Sequence, residues 1–152
     1  MSMADPRAVL FACNLNRVRS PMAEALARRI GGPGLYTDSC GLIAADDIDP
    51  FVWAVMAEIG VDLADHQPKA FEAVADQPFD LIVSLTPEAQ RRAEAIALGR
   101  AVETEYWPIP DPTLAGGSRE QRLDAYREAR EDLKRRLVQR FGKTSTSSGR
   151  SG

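Results

Sequence analysis

The chain has little histidine and little cysteine. Its 152 residues include a single histidine, His66, and two cysteines, Cys13 and Cys40. One histidine excludes most histidine-rich metal sites, and two cysteines without a framework spacing predict free thiols in a reducing compartment rather than a disulfide scaffold. We therefore expect a cytoplasmic protein with no metal and no cofactor.

The chain also lacks an excess of positive charge and any long apolar run. A formal net charge of -3 and a pI of about 5.2 give no indication of nucleic acid or an anionic membrane as a partner. No stretch approaches the ~20 apolar residues of a membrane span, and the short apolar run near the N-terminus is typical of a strand, not a signal peptide. With 44% hydrophobic residues, the composition fits one globular domain with a sizeable core.

Strand-like and helix-like segments alternate along the chain, which predicts a single α/β domain over residues 1–142 with right-handed crossovers. The tail 143–152 is rich in Ser, Thr and Gly, and we expect it to be disordered. The predicted strands are 8–12, 35–41, 79–85 and 101–109. The predicted helices are 20–32 with Ser20 as N-cap, a short helix after Pro68, and 49–60, 86–99 and 119–141.

Two of the predicted helices have an apolar face that should point into the core. In the helix 49–60 this face contains Val52, Trp53, Val55, Met56 and Ile59. In the last helix it contains Leu123, Tyr126, Leu133, Leu137 and Val138.

Cys13 lies where the first predicted strand gives way to a helix, the edge of an open α/β sheet at which ligands bind. The unpaired N–H groups and the dipole of a helix N-terminus favour an anion and the reactive thiolate. Arg19 adds a planar set of donors suited to two oxygens of a tetrahedral oxyanion, and Ser20 can donate a hydrogen bond to the sulfur. The alternative is a buried structural thiol, and the spacing of Cys13 and Arg19 alone does not decide between the two.

The segment CNLNRVRSPMAE resembles the phosphate-binding loop of the low-molecular-weight protein tyrosine phosphatases and of the arsenate reductases that share their fold. The resemblance continues through Ser39 and Gly41 and through VMAEIGVDLADHQPK, and Asp111-Pro112 falls on the family's acid loop. It covers nearly the whole chain and implies a four-stranded parallel sheet with helices on both faces. The matching positions of the first motif are Cys13, Asn16, Arg19, Ser20, Pro21, Met22 and Glu24.

The resemblance implies a phosphatase in which Cys13 attacks phosphorus, Arg19 holds the oxyanion and Asp111 acts as general acid and base. It implies supporting hydrogen bonds from Asn16, Ser20 and Ser39. The expected partners are a small phosphorylated molecule or a phosphotyrosine protein, with inorganic phosphate or another oxyanion in the loop. The loop residues would be Asn14, Leu15, Asn16, Arg17, Val18, Arg19 and Ser20.

Four positions depart from the family's phosphatases. Leu15 stands where they usually have glycine, and Val18 stands where they have a second cysteine. Thr113 and Leu114 follow the Asp-Pro where phosphotyrosine-selective members often have aromatic residues. Arg17 adds a cation to the loop, which is consistent with an acidic substrate but also with a solvated surface arginine.

Two other functions stay open. An arsenate reductase relayed through thioredoxin needs two more cysteines near the third strand, and LIVSLTPEAQRRAEAIAL has none. A reductase that uses an external small thiol needs only Cys13, and a phosphate-binding module without turnover needs only the loop. We expect Cys40 to be buried packing and His66 to have a structural hydrogen-bonding role.

Overall fold

The computed structural model describes residues 5–142, so the predicted disordered tail lies outside the described residues. Within them, one parallel sheet has the strand order β2-β1-β3-β4, and its strands are β1 (Ala8–Cys13), β2 (Tyr36–Gly41), β3 (Leu81–Ser84) and β4 (Glu103–Tyr106). The helices are α1 (Arg19–Gly31), α2 (Pro50–Ala57), α3 (Pro87–Ala97) and α4 (Arg119–Phe141). Two 3₁₀ turns span Phe71–Ala73 and Pro112–Leu114. The predicted four-stranded parallel α/β fold is confirmed.

The sheet has an apolar layer on each face because β1 and β3 are buried on both sides, as parallel strands usually are. On one face Phe11 and Val83 belong to the same core as residues of α1, α2 and α4. On the other face Leu10 and Ile82 pack with α3 and with Phe71. Helices therefore cover both faces, and β1 leads at its carboxyl end into the loop 14–18 that precedes α1.

Two residues predicted to face the core are exposed instead. Trp53 is 41% exposed and Val138 is 44% exposed. Each directly follows a fully buried residue, Val52 and Leu137, and one residue turns a helix by about 100°. Because the buried residues fill the core side, Trp53 and Val138 lie at the edge of their helix faces.

Several element boundaries also differ from the prediction, by one to three residues. Strand β4 is limited to Glu103–Tyr106, and the chain then leaves the sheet with Trp107 and Ile109 still buried. Helix α1 begins at Arg19, with Val18 at the N-cap position, so Ser20 is not the N-cap. Among the described residues, no helix combines the length and apolar character needed to cross a membrane.

Candidate active site

The loop of residues 14–18 joins the last residue of β1, Cys13, to the first residue of α1, Arg19. The segment 42–45 donates three backbone hydrogen bonds of 2.9–3.1 Å to the carbonyls of residues 13–15. Within the part of the chain that the structure describes, the N–H groups of residues 14–18 have no protein acceptor. A run of free N–H groups ahead of a helix N-terminus is suited to an anion.

Ser20 lies beside the sulfur of Cys13. The Ser20 Oγ is 2.9 Å from the Cys13 Sγ and 3.2 Å from the backbone carbonyl of Cys40, and it accepts a hydrogen bond of 2.8 Å from the Asn16 side chain. The Ser20 hydroxyl accepts from Asn16 and has one proton to donate, either to the Cys40 carbonyl or to the Cys13 sulfur. Of these two acceptors, a thiolate is the stronger because it is charged. The geometry therefore allows Ser20 to stabilise the thiolate of Cys13.

Asn16 holds the loop in its backbone conformation. Within residues 5–142, Asn16 is the one non-glycine residue with a positive φ, which is 54°. The side chain is buried and donates to Ser20 and Ser39, while its Oδ1 accepts from the Lys69 N–H at 2.9 Å and lies 3.2 Å from His66 Nε2. These contacts offset the cost of the left-handed conformation, which asparagine tolerates better than most residues. Because the positive φ falls on Asn16, the loop needs no glycine at position 15.

A buried carboxylate, Glu24 on α1, lies behind this network. Its Oε1 accepts a 2.6 Å hydrogen bond from Ser39 and lies 3.3 Å from His66 Nδ1, and its Oε2 pairs with Arg28 at 2.6 Å. Burial raises the pKa of Glu24, but the hydrogen bonds from His66 and Ser39 and the charge of Arg28 outweigh it, so the pKa lies below its usual value. The ionised Glu24 thus orients His66 and Ser39 toward Asn16. The sequence motif includes Glu24 as a matching position but does not predict this role.

Gly41 allows the loop to pass close to the end of β2. A Cβ at this position would lie 2.6 Å from the Asn16 backbone nitrogen and 2.7 Å from two further backbone atoms, of Ile43 and Leu15. Because backbone cannot move as a side-chain tip does, we expect Gly41→Ala to displace the loop, weaken phosphate binding at least tenfold and lower stability by about 1–3 kcal/mol. Phosphate titration calorimetry and thermal denaturation measure the two effects.

Gly34→Ala is the matched control, because no atom outside its two chain neighbours lies within 4 Å of a Cβ placed there. It should leave phosphate affinity unchanged. Equal phosphate affinity in the Gly41 and Gly34 variants would contradict the close approach as the reason for glycine at position 41.

Arg19, at the end of the loop, contacts the segment that carries the predicted acid, Asp111. The Arg19 NH1 donates to the Ile109 carbonyl at 2.9 Å, and its NH2 lies 3.9 Å from Asp111 Oδ2. Asp111 Oδ1 accepts from the backbone N–H and the hydroxyl of Thr113, at 2.9 and 2.7 Å. Thr113 thus occupies one carboxylate oxygen and leaves the other directed to Arg19. The structure therefore places Asp111 beside Arg19, although 92 positions separate them in the chain.

Arg17 is held by contacts that the sequence did not predict. Its NH1 pairs at 3.1 Å with Asp49, a buried carboxylate that also accepts a 2.7 Å hydrogen bond from Tyr126. Burial and this hydrogen bond raise the pKa of Tyr126. Since Asp49 neutralises Arg17, the loop gains little net charge from it. Thr86 makes another unpredicted contact, a 2.7 Å hydrogen bond to the Asn14 side chain.

Cys40 and Cys13 lie in different cores of the molecule. Cys40 belongs to the core on the α3 face of the sheet, whereas Cys13 belongs to the core on the α1 face. Burial, together with the neighbouring Cys13 and Asp38, raises the pKa of the Cys40 thiol. A neutral, fully buried thiol is a packing group rather than a partner for thiol exchange. Within the described residues, no group of three or more His, Cys, Asp or Glu could hold a metal ion.

A cysteine next to free N–H groups, an arginine at the helix start and a carboxylate beside that arginine form a site suited to a tetrahedral oxyanion next to a thiol. The chain belongs to the low molecular weight phosphotyrosine protein phosphatase family, whose model matches residues 8–147. The resemblance seen in the loop and in the acid loop is thereby confirmed at the level of the family.

Relatives of this chain include both reductases and phosphatases. It is 30% identical over 133 residues to arsenate reductase 2 of Staphylococcus epidermidis, covering 87% of this chain and 99% of the relative. It is 27% identical over 137 residues to the glutaredoxin arsenate reductase of Synechocystis, covering 90% and 98%. Among solved structures it resembles the tyrosine phosphatase Wzb from Escherichia coli K30 in complex with sulphate. That match has a TM-score of 0.70 and 26% identity, and it covers 88% of this chain and 98% of Wzb.

Proposed function

We propose that this protein is a cysteine-dependent phosphatase of the cytoplasm that hydrolyses phosphotyrosine-like monoesters through a phosphocysteine intermediate. The observation that supports it best is the joint placement of Ser20 at 2.9 Å from the Cys13 sulfur and of Arg19 at 3.9 Å from Asp111. A nucleophile, an oxyanion clamp and an acid then belong to one site. The partners are a small phosphorylated molecule or a phosphotyrosine protein.

In the first step the Cys13 thiolate attacks phosphorus, so that an S–P bond forms as the bond to the leaving oxygen breaks. The proton on Asp111 passes to that oxygen, which leaves as a neutral hydroxyl group. Arg19 and the N–H groups of residues 14–18 hold the equatorial oxygens as charge shifts among them. Ser20 lies 2.9 Å from the sulfur and donates a hydrogen bond to the attacking thiolate.

In the second step Asp111, now ionised, removes a proton from water, which attacks phosphorus and breaks the S–P bond. Phosphate leaves and the thiolate returns, and the hydrogen bond from Ser20 makes the sulfur a better leaving group. The proposed steps use only side chains and backbone of this chain and require no cofactor.

The general acid can be tested with p-nitrophenyl phosphate between pH 5 and 8. Because Asp111 must carry a proton when substrate binds, kcat should fall as pH rises. Asp111→Asn should flatten the fall of kcat with rising pH. With phenyl phosphate, whose leaving oxygen is more basic than that of p-nitrophenyl phosphate and needs the proton, it should lower kcat about 10²–10³-fold. Phosphate binding without turnover at any pH would overturn the phosphatase and favour a phosphate-binding module.

A second candidate is arsenate reduction with an external small thiol, which the names of the Staphylococcus and Synechocystis relatives favour. Here Cys13 would bond to arsenic, and the external thiol would supply the electrons that Cys40 is too buried to supply. Arsenate-dependent oxidation of glutathione, with no hydrolysis of p-nitrophenyl phosphate, would establish this function in place of the phosphatase. Hydrolysis without arsenate reduction would exclude it.

A further inference from the structure

A groove runs from the acid loop along α4, outside the Cys13 loop. One wall is the segment 110–115 and the other is the part of α4 from Asp124 to Arg135, and they enclose about 840 Å³. Asp111 lines this groove and also lies beside Arg19. The groove therefore starts at the group that would protonate the leaving oxygen, so a substrate that continues beyond that oxygen can enter it.

The charges that line the groove are mainly negative. Besides Asp111, it is lined by Asp124, Glu128, Glu131 and Asp132 against Arg127 and Arg135. Both arginines are already paired. Arg127 contacts Asp124 and also Glu58 and Glu120, whereas Arg135 contacts Asp132 at 3.6 Å.

Glu128 differs from its neighbours because, among the described residues, no cation lies within 4 Å of it. It is exposed and lines the groove. A carboxylate in this position can accept a charged partner from outside the chain without first losing one of its own.

The groove also has apolar parts. Leu114, at the end of the acid-loop turn, is 81% exposed and lines the groove together with Pro110 and Pro112. Ala125 and Ala129 lie on the α4 side and take up little space. An exposed leucine facing small residues and bordered by carboxylates suits a partner with apolar stems and positive ends, which describes lysine and arginine side chains.

The length of the groove suits an extended peptide. From Asp124 to Arg135 the helix rises about 16 Å, which about five extended residues span. A small phosphorylated molecule would fill the Cys13 loop and leave most of the groove empty, and a nucleic acid would be repelled by its carboxylates.

We propose that this groove binds the segment next to the phosphorylated residue of a protein substrate, and that the segment carries lysine or arginine. The proposal rests on the proposed phosphatase function and narrows its substrates to basic phosphoproteins. Glu128 contacts the positive side chain, Leu114 contacts its apolar stem, and the phosphoryl group lies in the Cys13 loop.

The test uses two phosphotyrosine peptides that differ only in flanking residues, lysine and arginine in one and glutamate in the other. The ratio of their kcat/KM values cancels any change in the chemical step that both share. We expect the basic peptide to be preferred at least tenfold at low salt, and Glu128→Lys to reduce this ratio about threefold to tenfold. Glu94→Lys, an equal charge change on α3, which packs against the other face of the sheet, should leave the ratio unchanged.

Peptide binding to the Cys13→Ser variant separates this proposal from the phosphatase mechanism, because fluorescence anisotropy needs no turnover. Tighter binding of the basic peptide, weakened by Glu128→Lys in the same background, supports the groove even if the parent protein hydrolyses nothing. Equal binding of the two peptides overturns the groove even if p-nitrophenyl phosphate is hydrolysed. A ratio that changes equally in the Glu128 and Glu94 variants also overturns it, because the effect would then come from net charge.

Discussion

Replacing Cys13 with serine should abolish hydrolysis of p-nitrophenyl phosphate, with a loss in kcat of about 10⁴-fold or more. The serine hydroxyl would occupy the same place beside Ser20, but it is a far weaker nucleophile than a thiolate. Phosphate should still bind with an affinity within about threefold of the parent, because the binding groups are Arg19 and the loop N–H groups. Steady-state kinetics and phosphate calorimetry measure the two parts of the prediction.

Cys40→Ala is the matched control, because it removes the other thiol from the opposite core of the sheet. The side chain of Cys40 makes no hydrogen bond to the loop, and its contact with Ser20 runs through the backbone carbonyl. This variant should lose some stability but keep the kcat of the parent. Residual turnover in Cys13→Ser at the level of the parent, or an equal loss in both variants, would contradict Cys13 as the nucleophile.

The parts of the site that are local in sequence could be predicted. Cys13, Arg19 and Ser20 lie within eight residues at one strand-to-helix junction, where the alternating pattern fixes both the elements and the edge of the sheet. Asp111 is identifiable only through the family motif, since an Asp-Pro pair alone is a common turn. Its position beside Arg19 depends on how β4 ends and the chain crosses to α4, which no local pattern encodes.

The contacts that hold the loop from behind could not be predicted. Asp49 joins Arg17 of the loop to Tyr126 of α4, residues that are more than one hundred positions apart. Sequence shows an acidic residue before Pro50, which is also what a helix N-cap requires, and Asp49 has that role too. One carboxylate with three partners is visible only once α2 and α4 are packed.

The question raised by Leu15 has a physical answer in the neighbouring residue. A glycine is needed only where φ is positive or where another chain segment comes too close, and these requirements fall on Asn16 and Gly41. Leu15 keeps an ordinary backbone and is 45% exposed. Leucine at position 15 therefore requires no left-handed backbone in the loop, and its side chain contributes to the surface next to it.

The second large effect is expected from Arg19→Lys, which should lower kcat/KM about 10²–10³-fold. Lysine keeps the charge but offers one ammonium group where arginine offers a planar pair of donors for two oxygens. A lysine at position 19 also cannot make both contacts of Arg19, whose NH1 donates to the Ile109 carbonyl while its NH2 lies toward Asp111. Without the Ile109 contact as an anchor, the cation can pair with Asp111 directly, which would favour the ionised acid and weaken the first chemical step.

Arg29→Lys provides the control, because Arg29 also donates to backbone carbonyls, those of Ile59 and Gly60, but far from the loop. It should leave kcat/KM unchanged and so separate the loss of a guanidinium anchor in general from its loss at the site.

The pH profile of Arg19→Lys adds a second criterion. If Arg19 acts only by binding phosphate, Arg19→Lys should raise KM and leave the pH dependence of kcat as it is. If Arg19 also keeps Asp111 available as an acid, the fall of kcat with rising pH should begin at a lower pH in Arg19→Lys than in the parent. The reason is that a lysine paired with Asp111 stabilises the carboxylate. We expect the second result, since the anchored guanidinium stays 3.9 Å from the carboxylate rather than in hydrogen-bond contact with it. An unchanged profile with a normal kcat would show that the two residues act independently.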